Sequence, residues 1–222
     1  AISRDMQRWF RAVQTEQYLT DMNKTHLTEI KLKLMSLSVF RQLLEDGIIC
    51  AFLEFLSAKT AQEQISTYSA FVSLLYSENS GSFTRHIKYI CLNSENVFVK
   101  LIGKNKEVAE YISQSVENEL SVLQEICDIT CEELISCIDW NGTLPHFDSH
   151  KTDLRAHFYH RAENIGKYGY GMYAKNPMFY IDENNRIIPV KNPDTIRLSS
   201  FKDYELQRNK VFENTKALLS KK

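Results

Sequence analysis

The sequence predicts a mainly α protein: a multi-helix N-terminal body, then a small β-hairpin and a C-terminal helix. Three observations carry that expectation. Turn-formers are scarce, with 7 Gly and 4 Pro among 222 residues, which favours long helices over a strand-rich fold. Apolar residues recur every three or four positions through most of the first 140 residues, the spacing of one helix face. Only two short runs near the C-terminus read as strands. With 43% hydrophobic and 11% aromatic residues, the chain has enough apolar surface for a real core.

The elements follow in order. Residues 2–22 read as a helix with Ile2, Met6, Trp9, Phe10 and Val13 on one face. Residues 27–45 make a second, aligning Leu27, Ile30, Leu34, Leu37, Phe40, Leu43 and Leu44. Asp46-Gly47 interrupts the pattern, and Ile48, Ile49, Phe52, Phe55 and Leu56 resume it. Residues 60–77 supply Ile65, Tyr68, Phe71, Val72 and Leu75. Residues 79–82 form a loop by composition. Short helices follow around Phe83–Leu92 and Glu95–Ile102, then a long one through Val108, Ile112, Val116, Leu120, Leu123 and Ile126. Thr130 with Glu133 forms a capping box ahead of Leu134, Ile135 and Ile138. Residues 143–149 read as a loop with Pro145, residues 150–164 as a helix, and Gly166–Gly171 as a Gly/Tyr-rich break. Met178–Ile181 and Arg186–Val190, joined by Asp182-Glu183-Asn184-Asn185, read as a hairpin. Pro189 marks its second strand as an edge, or as ending there. Ser200 and Asp203 read as cap and acidic first turn of a last helix running to Leu219. These elements divide the chain into a helical body over 1–145, a connector over 146–177, and a hairpin plus helix over 178–222.

The net charge of -1 argues against a strongly basic nucleic-acid protein. The charge is uneven: residues 1–150 carry 13 Lys+Arg against 20 Asp+Glu (-7), and residues 151–222 carry 14 against 8 (+6). Such asymmetry marks either an anion-facing half or a solvated helical surface. No run of about 18 apolar residues is present, and Ala1-Ile2-Ser3-Arg4-Asp5 lacks the regions of a signal peptide. The five cysteines read as reduced thiols, small core residues of a cytoplasmic protein. The start at Ala1 and the end at Lys221-Lys222, without a stop signal, read as those of a piece of a longer protein.

Four constellations bear on chemistry. No G-x-x-x-x-G-K-[ST] phosphate loop occurs, and Gly166-Lys167-Tyr168-Gly169-Tyr170-Gly171 has the wrong spacing for a dinucleotide fingerprint. Phosphoryl transfer needs backbone amides, a Lys and a Mg²⁺-binding hydroxyl in one place, so no ATP hydrolysis is expected of this chain alone. His146, Asp148, His150, Asp153, His157 and His160 invite a metal reading but match no strict zinc spacing, and surface histidines are expected instead. Cys127, Cys131 and Cys137 lack a C-x₂-C knuckle. The basic–aromatic stretch over 157–175 suits stacking on unpaired bases, or a connector lying against a neighbouring domain, with its phenols hydrogen-bonded at the rim.

The C-terminal third resembles the approach to the nucleotide site in a family of uncharacterised bacterial AAA+-type ATP-binding proteins. The resemblance runs through Gly169-Tyr170-Gly171, Pro189-Val190-Lys191, Asn192-Pro193-Asp194, Ile196-Arg197-Leu198, Tyr204-Glu205-Leu206-Gln207 and Glu213-Asn214-Thr215-Lys216-Ala217-Leu218-Leu219. It is looser over the helical part before them. Asp203 departs from it, standing where the family usually has Gly. The resemblance implies a phosphate-binding loop of the G-x-x-G-x-G-K-[ST] kind just beyond Lys222, and places Ile196, Asp203 and Tyr204 at the edge of an adenine pocket. It implies ATP and Mg for the longer parent, no cofactor in this chain, and a non-catalytic accessory role for the helical body. The implied partner is a protein, with oligomerisation through the absent ATPase core, no nucleic acid and no membrane. A stand-alone helical adaptor and a single-stranded nucleic-acid binder using residues 157–175 are the alternatives.

Overall fold

The structure is a computed structural model and describes residues 22–78, 81–194 and 204–220. It is mainly helical, with one two-stranded hairpin and a C-terminal helix. The chain forms two compact units, Ala1–Lys175 and Asn176–Lys222. In the first, α1 covers 22–35. A 3₁₀ turn over Arg41–Glu45 leads into α2 (Gly47–Phe55) and α3 (Ala61–Glu78). Then come α4 (Phe83–Leu92), α5 (Val97–Gly103), α6 (Glu110–Cys127) and α7 (Cys131–Ser136). Helices α8 (Leu154–Glu163), α9 (Ile165–Tyr168) and α10 (Met172–Lys175) complete the unit. The helix expected over 2–22 lies outside the described residues except for Met22.

Local chemistry sets several of these boundaries. The Asp46 carboxylate accepts from the amides of Ile48 and Ile49 and starts α2. Ser82, Asn96 and Asp153 each accept an amide in the first turn of α4, α5 and α8, satisfying donors a helix start leaves orphaned. The capping box of Thr130 and Glu133 forms as expected. Helix α8 begins at Leu154, later than its apolar pattern suggests, because Asp153 takes the cap position.

One expected helix is broken. The periodic run over 27–45 is helical only to residue 35; the chain then turns and re-enters as the 3₁₀ segment. The cause is Glu119, 7% exposed, on the middle of α6. Its Oε1 accepts from the Ser38 amide at 2.9 Å, the Ser38 hydroxyl at 2.6 Å and the Val39 amide at 3.0 Å. Its Oε2 accepts from the Phe40 amide at 2.9 Å. Three successive amides aimed at one carboxylate cannot also bond back along a helix. Charge-assisted bonds of this kind are stronger than neutral ones, so the carboxylate wins over the weak periodic preference.

Helix α6 bonds to the elements around it through further side chains. Glu125 pairs with Lys33 of α1 at 2.8 Å. Glu117 takes the Tyr159 hydroxyl at 2.6 Å and the Arg155 guanidinium at 2.9 Å, both from α8. Gln124 accepts from the Leu154 amide. Two groups of aromatic rings fill the core. Phe52, Phe71, Phe83 and Phe147 meet at 5.0–6.1 Å between centroids. Phe40 and Phe98 pack on Phe158 at 5.4 and 5.8 Å. Such pairs add about 0.5–1.5 kcal/mol each beyond the area they bury. Phe40 sits in the corner held by Glu119, so the same carboxylate aims an anchor ring into the core.

In the second unit, β1 (Phe179–Ile181) and β2 (Ile187–Pro189) pair antiparallel with Tyr180 opposite Ile188. Pro189 is the last residue of β2, where its missing N–H costs no ladder bond. Asp182 organises the turn: its Oδ1 accepts from the amides of Asn184 and Arg186, and its Oδ2 pairs with the Arg186 guanidinium at 2.7 Å. Helix α11 spans Glu205–Leu219 with Tyr204 at its cap position, which makes no side-chain cap bond. The expected Ser200 cap lies outside the described residues.

Replacing Glu119 tests the corner. Glu119→Ala leaves three amides and a hydroxyl without their acceptor and is expected to cost about 2–4 kcal/mol of unfolding free energy. Glu119→Gln keeps one acceptor oxygen and should cost less. Urea unfolding followed by circular dichroism checks both, and equal stability of all three proteins would contradict this account of the break.

Candidate functional site

An open groove lies between α1, the 3₁₀ turn, α2 and the start of α3. Its volume is about 910 Å³. Its floor is apolar, with Met35 from α1, Leu44 from the turn, Leu53 and Cys50 from α2, and Ala58 beyond it. Lys31, Arg41 and Lys59 stand around it with Glu54 and Glu63. Met35 is 55% exposed, a large apolar side chain offered to solvent.

Two polar corners hold the elements that line the groove. The Glu119 corner turns the chain from α1 into the 3₁₀ segment, and Met35 and Leu44, on either side of that corner, both line the groove. The second corner is Asp46. Besides capping α2, its Oδ1 meets Nε2 of His86 on α4 at 2.7 Å, and His86 is only 2% exposed. Burial pushes the Asp46 carboxyl up, but the bonds from His86, Ile49 and Ile48 outweigh it and hold the group below its ordinary value. Across the groove, Thr60 and Glu63 cap α3 reciprocally: the Thr60 hydroxyl accepts from the Glu63 amide, and the Glu63 carboxylate accepts from the amides of Lys59 and Thr60. Arg41 is pinned at the rim by a 2.7 Å bond to the Met35 carbonyl.

Cys50 corrects one expectation. It is exposed, donates weakly to the Leu44 carbonyl at 3.2 Å, and lines the groove; Cys91, Cys127, Cys131 and Cys137 are buried. The apolar run around Cys50 gave no signal of this, since i, i+3 and i+4 neighbours place a residue on a helix but not its distance from solvent. All five are free thiols. Burial raises the thiols of Cys127, to about 12, and Cys137, which suits inert core packing.

The structure brings together one pair that sequence spacing did not suggest. Cys131 Sγ lies 3.5 Å from His146 Nδ1 and 3.3 Å from the Tyr68 hydroxyl. Tyr68 donates instead to the Pro145 carbonyl at 2.7 Å, and Cys131 is 2% exposed. With no room for a substrate at Sγ, the trio fastens the 145–146 segment to α3 and α7. His146, His150, His157 and His160 are all exposed. No group of three or more metal-ligating side chains occurs among the described residues.

The basic–aromatic stretch lies against its own unit. Tyr168 is flanked by the Arg161 guanidinium at 5.3 Å and the Lys167 ammonium at 5.4 Å. Tyr170 packs on α5 so closely that a Cβ on Gly103 would come within 2.8 Å of its ring. Gly171, at φ +54°, leaves no room for a side chain beside Glu95. Two of the rings a base would need are therefore already engaged. Of the three residues placed at an adenine-pocket edge, Ile196 and Asp203 lie outside the described residues; Tyr204 caps α11 and is exposed.

The Asp46 geometry gives a signed pH dependence. Because the folded carboxyl ionises below its ordinary value of 3.8, the folded state binds fewer protons than the unfolded chain just below that pH. Its stabilisation is therefore present above 3.8 and lost as pH falls through the lower folded value. Unfolding midpoints measured from pH 6 down to about 2.5 should show Asp46→Asn less stable at neutral pH and less sensitive to acid than the parent. Parallel acid limbs would contradict this role.

No helix among the described residues is long and apolar enough to cross a membrane. Compared with family models, curated proteins and solved structures, the chain matches none of them.

Proposed function

We propose that this chain is the non-catalytic N-terminal accessory and interaction region of a bacterial AAA+-like ATP-binding protein, in which the helical body holds a protein partner and the ATPase core lies beyond Lys222. The observation that carries the core-facing half is α11. This helix of 15 residues leaves Val211, Phe212 and Leu218 exposed, the last at 78%. Of its described side chains only Arg208 is half-buried. A helix of this length is marginal on its own in water and draws its stability from packing. An exposed apolar stripe in the segment that carries the family resemblance supports a covering core there. The groove, with its apolar floor and charged rim, supports the interaction role of the body.

The parent would bind ATP and Mg; this chain alone would not hydrolyse ATP. A cytoplasmic location follows from the same reading. A single-stranded nucleic-acid site over 157–175 is the weaker alternative, because Tyr168 and Tyr170 are already packed. The test is to read the source gene past the codon for Lys222. The expected result is an apolar strand and then G-x-x-G-x-G-K-[ST] within about 20 codons. A stop codon directly after Lys222 would overturn the ATPase part and move the stand-alone adaptor to the front.

A further inference from the structure

We propose that the groove between α1, α2 and α3 receives an acidic amphipathic helix of a partner protein. This deepens the reading of the body as an interaction module and rests on it.

The groove's chemistry narrows the occupant stepwise. A small-molecule site places a few convergent polar groups inside an apolar enclosure. Here the lining is mostly apolar, its two hydroxyls, Ser57 and Thr67, already donate to the carbonyls of Leu53 and Glu63, and the groove is open rather than enclosing. A peptide is the better fit, and peptides dock in few ways. Strand addition needs a sheet edge, and both described strands belong to the other unit. Proline-rich segments need an aromatic-lined groove, and no aromatic side chain lines this one. Helix-in-groove docking remains, with apolar anchors at i, i+3 or i+4 and i+7 laid on Met35, Leu44 and Leu53. Met35 is unbranched and adaptable, a side chain suited to such a surface.

The rim sets the charge. Lys31, Arg41 and Lys59 form no ion pair among the described residues. Of the two acids there, Glu63 is committed to the amides of Lys59 and Thr60. Both acids keep their negative charge, so three cations face two carboxylates, a local excess of one positive charge. That local excess of positive charge stands on the part of the chain whose balance is -7 over residues 1–150. An acidic flank on the docked helix complements it and speeds encounter.

Cys50 supplies the readout, as the exposed thiol of the five. The full 222-residue chain is used to select binders from a phage-displayed library of helix-biased peptides holding acidic and basic members in equal number. The enriched sequences are expected to carry apolar residues at helical spacing with Asp and Glu beside them. Their synthetic peptides should slow alkylation of Cys50 by about tenfold, and the double variant Lys31→Glu/Lys59→Glu should bind about tenfold more weakly with an unchanged circular dichroism spectrum. Enrichment of basic or charge-indifferent sequences, or peptides that leave Cys50 reactivity and the double variant's affinity unchanged, would overturn the groove assignment. The interaction role would then survive at another surface. If no sequence is enriched above background, both the groove assignment and the interaction role of the body fall.

Discussion

A single carboxylate, Glu119, fixes the path of the chain through its most consequential corner. Four donors from Ser38, Val39 and Phe40 converge on its two oxygens. Buried polar groups are costly unless paired, and here each side satisfies the other: the carboxylate would be stranded without the amides, and the amides without the carboxylate. The corner ends α1, seats the Phe40 ring against Phe158, and delivers the 3₁₀ turn that carries Arg41 and Leu44 to the groove. The constraint comes from the middle of α6, the helix that also bonds to α1 and α8 through Glu125 and Glu117.

Asp46 and His86 do the same for the other wall. The carboxylate caps α2 while the imidazole of α4 bonds to it, which fixes the start of the helix that carries Cys50 and Leu53. Both corners are polar, buried or half-buried, and nearly satisfied. Networks of this kind specify one arrangement among the several that a periodic apolar core would tolerate.

Most helices were legible in the sequence because their signals are local. Phe83–Leu92 follows its apolar period and cap, Thr130 with Glu133 spells its capping box, and Asp182 to Asn185 spells the hairpin turn. The break after residue 35 was not legible, since its cause lies about 80 residues away, as the separation of Ser38 and Glu119 shows. The groove shared that fate. Cys50, Met35 and Lys59 belong to different elements, and only the corners bring them to one surface. His86 passed as an ordinary member of an apolar helix, and no local pattern points from it to Asp46. The expected break over Gly166–Gly171 is shorter than its composition suggests: α9 runs to Tyr168, and the chain breaks at 169–171, where Gly169 and Gly171 take positive φ, before α10.

The measurement that tests this account most directly is native-state hydrogen exchange at the amides of Ser38, Val39 and Phe40. If Glu119 locks the corner, these loop amides exchange as slowly as those of α6, through global unfolding, and Glu119→Gln speeds them selectively while α6 stays protected. Rapid exchange at all three in the parent protein, at rates typical of exposed loops, would contradict the claim that one carboxylate holds the fold and its groove in place.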